Sequence, residues 1–168
     1  MPRRHVFIDF EASSLSTESY PISVGLHEVF SGDEGYCIIS PASVLEWTEW
    51  SYEAQKIHKL AKPYIEEDGV SPKDAIKVIA EACGDPYKCI LIADSERDEF
   101  WLKRLYDAAG ERCPYVIKNV GRLANGYNRT LLALALSSKE NTHHALEDAR
   151  ILAEAVLTLG KANVKWYE

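Results

Sequence analysis

The sequence predicts an α/β chain built on a mixed five-stranded sheet, an antiparallel meander followed by parallel strands, flanked by helices. Three observations predict it. An apolar run rich in β formers, Val6-Phe7-Ile8-Asp9-Phe10-Glu11, comes near the start and is fit for burial on both faces, as in a central strand covered by helices. Two further β-forming runs follow with short connections, which suits antiparallel neighbours. Beyond Ser71, helical apolar stripes alternate with apolar strand runs, as expected of strands joined through helices.

The elements follow in order. Ala12 to Tyr20 is polar and serine-rich and reads as a loop. Ile22 to Phe30 is a second strand, Ser31-Gly32-Asp33-Glu34-Gly35 a turn, and Tyr36 to Ser40 a third strand ended by Pro41. Val44 to Lys62 holds Trp47, Trp50, Tyr52 and His58, with a short helix over Ser51 to Leu60. Its two tryptophans read chiefly as core anchors and His58 as an ordinary surface or core histidine. Glu66-Glu67-Asp68-Gly69 reads as a solvated loop. Ser71-Pro72-Lys73-Asp74 is a helix start, with serine at the N-cap, proline in the first turn and an acid three residues after the cap. Ala75, Ile76, Ile79, Ala82 and Cys83 give that helix its stripe, and Gly84-Asp85-Pro86 stops it. Cys89 to Ala93 is wholly apolar and is the fourth strand, parallel to the first. A helix over Glu96 to Ala109 leads to a fifth strand, Tyr115 to Val120. Leu123 to Leu136 is mostly helical with a break near Gly126, and a last helix runs from about Thr142 to Leu159.

The whole-chain properties narrow the function classes. At 168 residues, 46% of them hydrophobic and 27% charged, residues 1–168 are expected to form one globular domain with a real core. No apolar run approaches membrane-spanning length, and Pro2-Arg3-Arg4-His5 leads straight into a strand rather than a secretory signal, so a cytoplasmic location is the expectation. None of the four cysteines, Cys37, Cys83, Cys89 and Cys113, forms a Cys-x-x-Cys pair. Reduced, mostly buried thiols are expected, not a structural zinc site. The net charge of −7 argues against a broad non-specific nucleic-acid surface. It leaves room for a small site in which metal ions carry the positive charge.

Asp9 and Glu11 are the first candidate ligands. Residues two apart in a strand share a face, so both carboxylates project side by side at the end of a buried strand. Two like charges there are costly unless a cation lies between them, and a hard divalent ion prefers carboxylate oxygens. The plain alternative is a strand that ends in solvent. On the Glu96 to Ala109 helix, at ~100° per residue, Asp98 falls inside the stripe of Trp101, Leu102, Leu105, Ala108 and Ala109. It points inward either as a ligand or as the acid of a Ser95-x-x-Asp98 cap, and the two roles are compatible. Asp94 is a weaker alternative to it. Asp148 borders the stripe of the last helix and reaches either a site beside the sheet or only the helix flank. His143 lies in the loop or first turn before it, and an imidazole there is a competent general base near neutral pH. His144 shares its surroundings and is the less favoured of the pair.

Together these residues carry a resemblance. Phe7-Ile8-Asp9-Phe10-Glu11, Asp98-Glu99-Phe100-Trp101-Leu102 and His143-His144-Ala145-Leu146-Glu147-Asp148-Ala149 resemble, in order and over nearly the whole chain, the three motifs of the DEDDh 3′–5′ exonucleases. Ser19-Tyr20-Pro21-Ile22 to Gly25 is similar to that family's second strand, and Ala54-Gln55-Lys56-Ile57-His58 to its helix after the third. The chain departs from the family at Ala12-Ser13-Ser14-Leu15, where many relatives have Thr-Thr-Gly, and at Ala93-Asp94-Ser95, where many have His-Asn. Both departures lie where the terminal nucleotide rests, so they bear on substrate choice rather than on the metal ligands.

The resemblance implies a ribonuclease H-like fold. It implies two Mg²⁺ or Mn²⁺ ions, roughly 3.5–4 Å apart, held by Asp9, Glu11, Asp98 and Asp148. His143 would be the general base, and nucleoside 5′-monophosphates would be released from the 3′ end of single-stranded RNA or DNA. Ala12, Ser13, Ser14 and Leu15 would contact the terminal nucleotide, with Leu15 as a wedge against its base. Trp47, Trp50, Lys59, Arg122 and Arg129 are candidates for further strand contacts. Many relatives are homodimers, a state open to this chain, and no membrane partner is implied. The rival reading is a catalytically silent nucleic-acid-binding module on the same fold. Loss of ligands would mark it, and here all five positions are filled.

Overall fold

A computed structural model of the chain describes residues 3–167, so Pro2 of the basic lead-in lies outside it. The five strands are β1 (Arg4–Ala12), β2 (Pro21–Glu28), β3 (Glu34–Ile38), β4 (Cys89–Ala93) and β5 (Ile117–Asn119). They lie in the order β3-β2-β1-β4-β5. β1 is central, antiparallel to β2 and parallel to β4, and β5 is parallel to β4. The mixed five-stranded sheet expected from the sequence is therefore present. The helices among the described residues are α1 (Tyr52–His58), α2 (Lys62–Asp68), α3 (Pro72–Cys83), α4 (Glu96–Ala109), α5 (Gly126–Ser137) and α6 (Ala145–Leu157).

The two-residue period of β1 divides the core. Val6, Ile8 and Phe10 face α3 and α4, where Ala75, Ile79, Leu102 and Leu105 meet them. Phe7 faces the other way, with Ile90 and Ile92 of β4, against Leu132 of α5 and Ala149, Leu152 and Val156 of α6. Asp9 and Glu11 share the face of Phe7, which puts them under the first turn of α6. α6 is tied to the meander by Arg150, whose Nε and Nη2 donate to the two Glu34 oxygens at 2.5 and 2.6 Å. That pair is partly exposed and is worth at most about 1 kcal/mol, so the apolar stripe carries most of the docking energy.

Three sequence expectations are corrected. The stretch read as a solvated loop, Glu66-Glu67-Asp68, is the last turn of α2. Pro63 in its first turn and the fully buried Ile65 pin the helix, and the acids are its solvated face. The fifth strand is shorter than Tyr115 to Val120, because the Asn119 side chain accepts from the Gly121 N–H and starts a 3₁₀ turn at Val120. The last helix begins at Ala145 rather than Thr142, since the N–H groups of Thr142 and His143 turn back to donate to Asp148. Among the described residues no helix is long and apolar enough to cross a membrane. All four cysteines are free thiols, three of them buried.

Candidate metal centre and nucleotide cleft

The site forms where β1 outruns its neighbour. The parallel ladder with β4 ends at Phe7 and Ile92, but β1 continues to Ala12. The Phe10 N–H beyond that end donates to Asp98 Oδ1 at 3.2 Å. Ser95 caps α4, its Oγ accepting from the Arg97 N–H, and the helix then turns Asp98 inward at 2% exposure beside Trp101 and Leu102. Asp148 arrives from the opposite layer. Its Oδ1 accepts from the Thr142 N–H and hydroxyl, both at 2.8 Å, and its Oδ2 from the His143 N–H at 2.9 Å. That loop orients the carboxylate toward the sheet.

Five acids converge. Asp9, Asp94 and Asp98 each offer a carboxylate oxygen within 4.8 Å of the others, and so do Asp9, Glu11 and Asp148. Asp9 belongs to both triplets. Asp94, the weaker alternative to Asp98 in the sequence, joins Asp98 instead of replacing it. Its only signal in the sequence is its place at the exit of β4.

None of the ion pairs among the described residues involves these five acids. The electrostatics follow. Burial, then the Asp98, Glu11, Asp148 and Asp94 carboxylates, push Asp9 well above the ordinary carboxylate range. Burial and then Asp148 push Glu11 up to about 7. Burial and then Asp94 push Asp98 up to about 8, against the opposing pull of the Phe10 and Ser95 N–H groups. Burial also raises Asp94. A cluster of carboxylates, buried at Asp98, half-buried at Asp9, Glu11 and Asp148 and exposed at Asp94, with no cationic side chain ion-paired to it among the described residues, suits hard divalent cations, which take oxygen ligands and supply the missing charge.

Two hollows flank the acids. The smaller, about 100 Å³, is walled by Asp9, Asp94, Asp148, Lys139 and Asn141. The larger, about 350 Å³, is walled by Glu11, Leu15, Ile57, His58, Trp101 and His143, with Ala12 and Ser14 in its rim. Ser13 is fully buried, its Oγ accepting from the Tyr20 N–H, so it braces the loop from beneath and does not line the cleft. His143 is half-buried with φ at +56°, while His144 is exposed and stacks on Tyr36 at 4.7 Å. Trp47 is buried and stacks on Tyr20 at 5.1 Å, which makes it part of the core.

His58 is the residue the sequence reading passed over. Its Nδ1 accepts the Leu60 N–H at 3.0 Å, so the proton of the neutral ring sits on Nε2. That nitrogen is buried and has no partner among the described residues. Burial, and secondly His143, hold the ring down at about 4, so it remains a neutral donor in the cleft wall. An ordinary surface or core histidine fits the same place in a short helix, so nothing local marks it in the sequence.

No family model matches the chain, and no curated protein matches it. Solved structures do. The zinc-ion-bound form of E. coli ExoI with single-stranded DNA aligns with a TM-score of 0.71 at 14% identity, covering 95% of this chain and 41% of that one. E. coli exonuclease I with a dT13 oligonucleotide aligns at 0.67 and 12% identity, over 93% and 41%. The nuclease domain of 3′hExo, a DEDDh family member bound to rAMP, aligns at 0.73 and 17% identity, over 99% and 96%. The chain thus spans about two fifths of the exonuclease I chains and nearly all of the 3′hExo domain. At these identities the likeness shows the fold, which is ribonuclease H-like as the motif resemblance implied.

Proposed function

We propose that this chain is a DEDDh-type 3′–5′ exonuclease that removes nucleoside 5′-monophosphates from the 3′ end of single-stranded RNA or DNA. One observation carries the reading: five carboxylates, none of them ion-paired with a cationic side chain among the described residues, meet at the end of β1, beside a nucleoside-sized cleft that also holds His143. The fold supports it, as do neighbours of that fold that hold single-stranded DNA or rAMP.

Asp9, Glu11, Asp98 and Asp148 would hold two Mg²⁺ or Mn²⁺ ions, with Asp94 at the rim. When bound, divalent cations there supply Lewis-acid polarisation of the phosphate and a more acidic water. His143 takes the proton of the attacking water. The water oxygen bonds to phosphorus, the bond from phosphorus to the 3′ oxygen of the preceding nucleotide breaks, and that oxygen leaves with the electron pair and takes a proton from solvent water, to which His143 returns the one it took. Leu15, Ile57 and Trp101 wall the terminal base with apolar surface, and His58 Nε2–H is a donor for a polar group of the same nucleotide.

The test is release of labelled mononucleotides from single-stranded RNA, single-stranded DNA and duplex with Mn²⁺, with Asp9→Asn as the control. Turnover equal in wild type and control would end the reading. A second variant separates acid–base work from metal binding. His143→Ala is expected to lower the rate by ~10²–10⁴ while leaving the Mn²⁺-induced thermal shift in place. The tie from position 143 to Asp148 runs through the backbone N–H, which the substitution keeps. Loss of the thermal shift in this variant would mean that the imidazole acts on the metal centre and not on the water.

A further inference from the structure

The loop from Ser13 to Ser19 is fastened to α4 at three points one face apart. Arg97 Nη1 donates to the Leu15 carbonyl, Trp101 Nε1 to Ser19 Oγ at 3.0 Å, and Arg104 Nη1 to the Thr17 carbonyl at 3.2 Å. Positions i, i+4 and i+7 of a helix form one stripe, so the three donors meet the loop along its length. The other flank is held as well. Ser14 Oγ donates to Glu49 at 2.7 and 2.8 Å, and Ser16 Oγ to Glu49 at 2.7 Å.

What this fastening leaves free is the Leu15 side chain. It is 67% exposed, although its carbonyl is held by Arg97 and its neighbours Ser14 and Ser16 by Glu49, and it forms one wall of the larger cleft, which Ile57 also lines. A leucine this exposed gains little for the fold, and a single exposed arginine-to-carbonyl bond contributes only about 1 kcal/mol to stability. The arrangement makes sense as preorganisation, in which ordering entropy is lost on folding and not on binding.

We propose that Arg97 is a positioning residue. By holding the Leu15 carbonyl it fixes the Leu15 side chain as the wall on which the terminal base rests. Arg97 immediately precedes Asp98, so the base wall and a metal ligand ride on the same helical turn. The proposal rests on the nuclease reading, and it adds a specificity element in a residue that touches neither metal nor substrate.

The test is a double-mutant cycle of Arg97→Ala and Leu15→Ala. It is read by KM and kcat on a single-stranded oligonucleotide with Mn²⁺, and by calorimetric binding of a nucleoside 5′-monophosphate. Arg97→Ala is expected to raise KM and the mononucleotide Kd about tenfold, with kcat changed far less and the Mn²⁺ thermal shift kept. Arg97→Lys, which keeps a donor and the charge, should recover part of that loss. The double variant should be no worse than Leu15→Ala alone, because Arg97 acts through Leu15. Additive effects, or an Arg97→Ala protein with wild-type KM and Kd, would overturn the proposal while the nuclease reading stood. Mononucleotide binding that obeys the cycle in a protein without turnover would keep the role of Arg97 and end the nuclease reading. A wild type that neither binds a mononucleotide nor turns over would end both.

Discussion

Asp98→Asn is expected to abolish mononucleotide release and, at the same time, to raise the thermal midpoint of the metal-free protein near pH 8. The two effects have one cause. Burial and the neighbouring Asp94 carboxylate push Asp98 up to about 8, far from the ordinary value of 3.8. Between those two limits the folded protein binds a proton that the unfolded chain has released. The stability this group contributes is therefore complete below about pH 4 and is lost as the pH rises through about 8. Glu11, pushed up to about 7, has the same sign over a narrower interval. The amide removes the charge but keeps an oxygen for the Phe10 N–H, so the local geometry survives. A gain of ~1–2 kcal/mol corresponds to roughly 2–8 °C for a chain of this size.

Metal addition should show the mirror image. Divalent ions bind the ionised acids, so the Mn²⁺-induced rise in midpoint should be small near pH 5 and large near pH 8 in the wild type, and should nearly vanish in the variant. Calorimetry across that interval, with and without Mn²⁺, reads all of this. A metal-free Asp98→Asn protein that melts below the wild type at pH 8 would show that the Asp98 charge is compensated by something other than a cation. Wild-type turnover in the same variant would remove Asp98 from the proposed ligands.

The sequence made some of this site legible and hid the rest, for reasons that are local or non-local. Asp9 and Glu11 could be placed on one face because a strand repeats every two residues and the flanking run is apolar on both sides. The inward turn of Asp98 could be read because it interrupts a helical stripe, where a charge is costly. Asp148 was visible only as a border residue, since its orientation depends on the Thr142 and His143 N–H groups that fold back on it. Asp94 was visible only as an alternative to Asp98, from its place at a strand exit, and its joining the cluster was not. His58 was hidden for a different reason: its surroundings come from segments far away in the chain, and it breaks no pattern in its own element. α2 was hidden because an acidic run looks alike on a solvated loop and on the outer face of a short helix. Only the burial of Ile65 against the rest of the core distinguishes the two.

What brings Asp148 to Asp9 is a contact no periodicity reveals, and it supports the second large prediction. Gly25 of β2 lies directly opposite Asp9 in the β1–β2 ladder. A methyl group at Gly25 would lie 2.2 Å from the Leu146 N and 2.3 Å from the Ala145 carbonyl carbon, both backbone atoms of the first turn of α6. No side chain can swing aside to make room, so in Gly25→Ala the N-terminus of α6 must lift by an ångström or more. The expected result is a loss of ~1–3 kcal/mol or more in stability and of ~10²-fold or more in turnover, because Asp148 rides on that turn and catalytic geometry tolerates little displacement. Gly35→Ala is the matched control. The nearest atoms to its added methyl are side-chain atoms of Ala82, Leu26 and Val78 at 3.2–3.3 Å, a contact a full ångström looser than that at Gly25 and one that needs a shift of only a few tenths of an ångström. Thermal unfolding and the mononucleotide assay, run on both variants, separate the effects. If Gly25→Ala kept wild-type turnover and the full Mn²⁺ shift, the close seat of α6 on β2 would not be what sets the distance from Asp148 to Asp9, and the loop bonds to Asp148 would have to suffice.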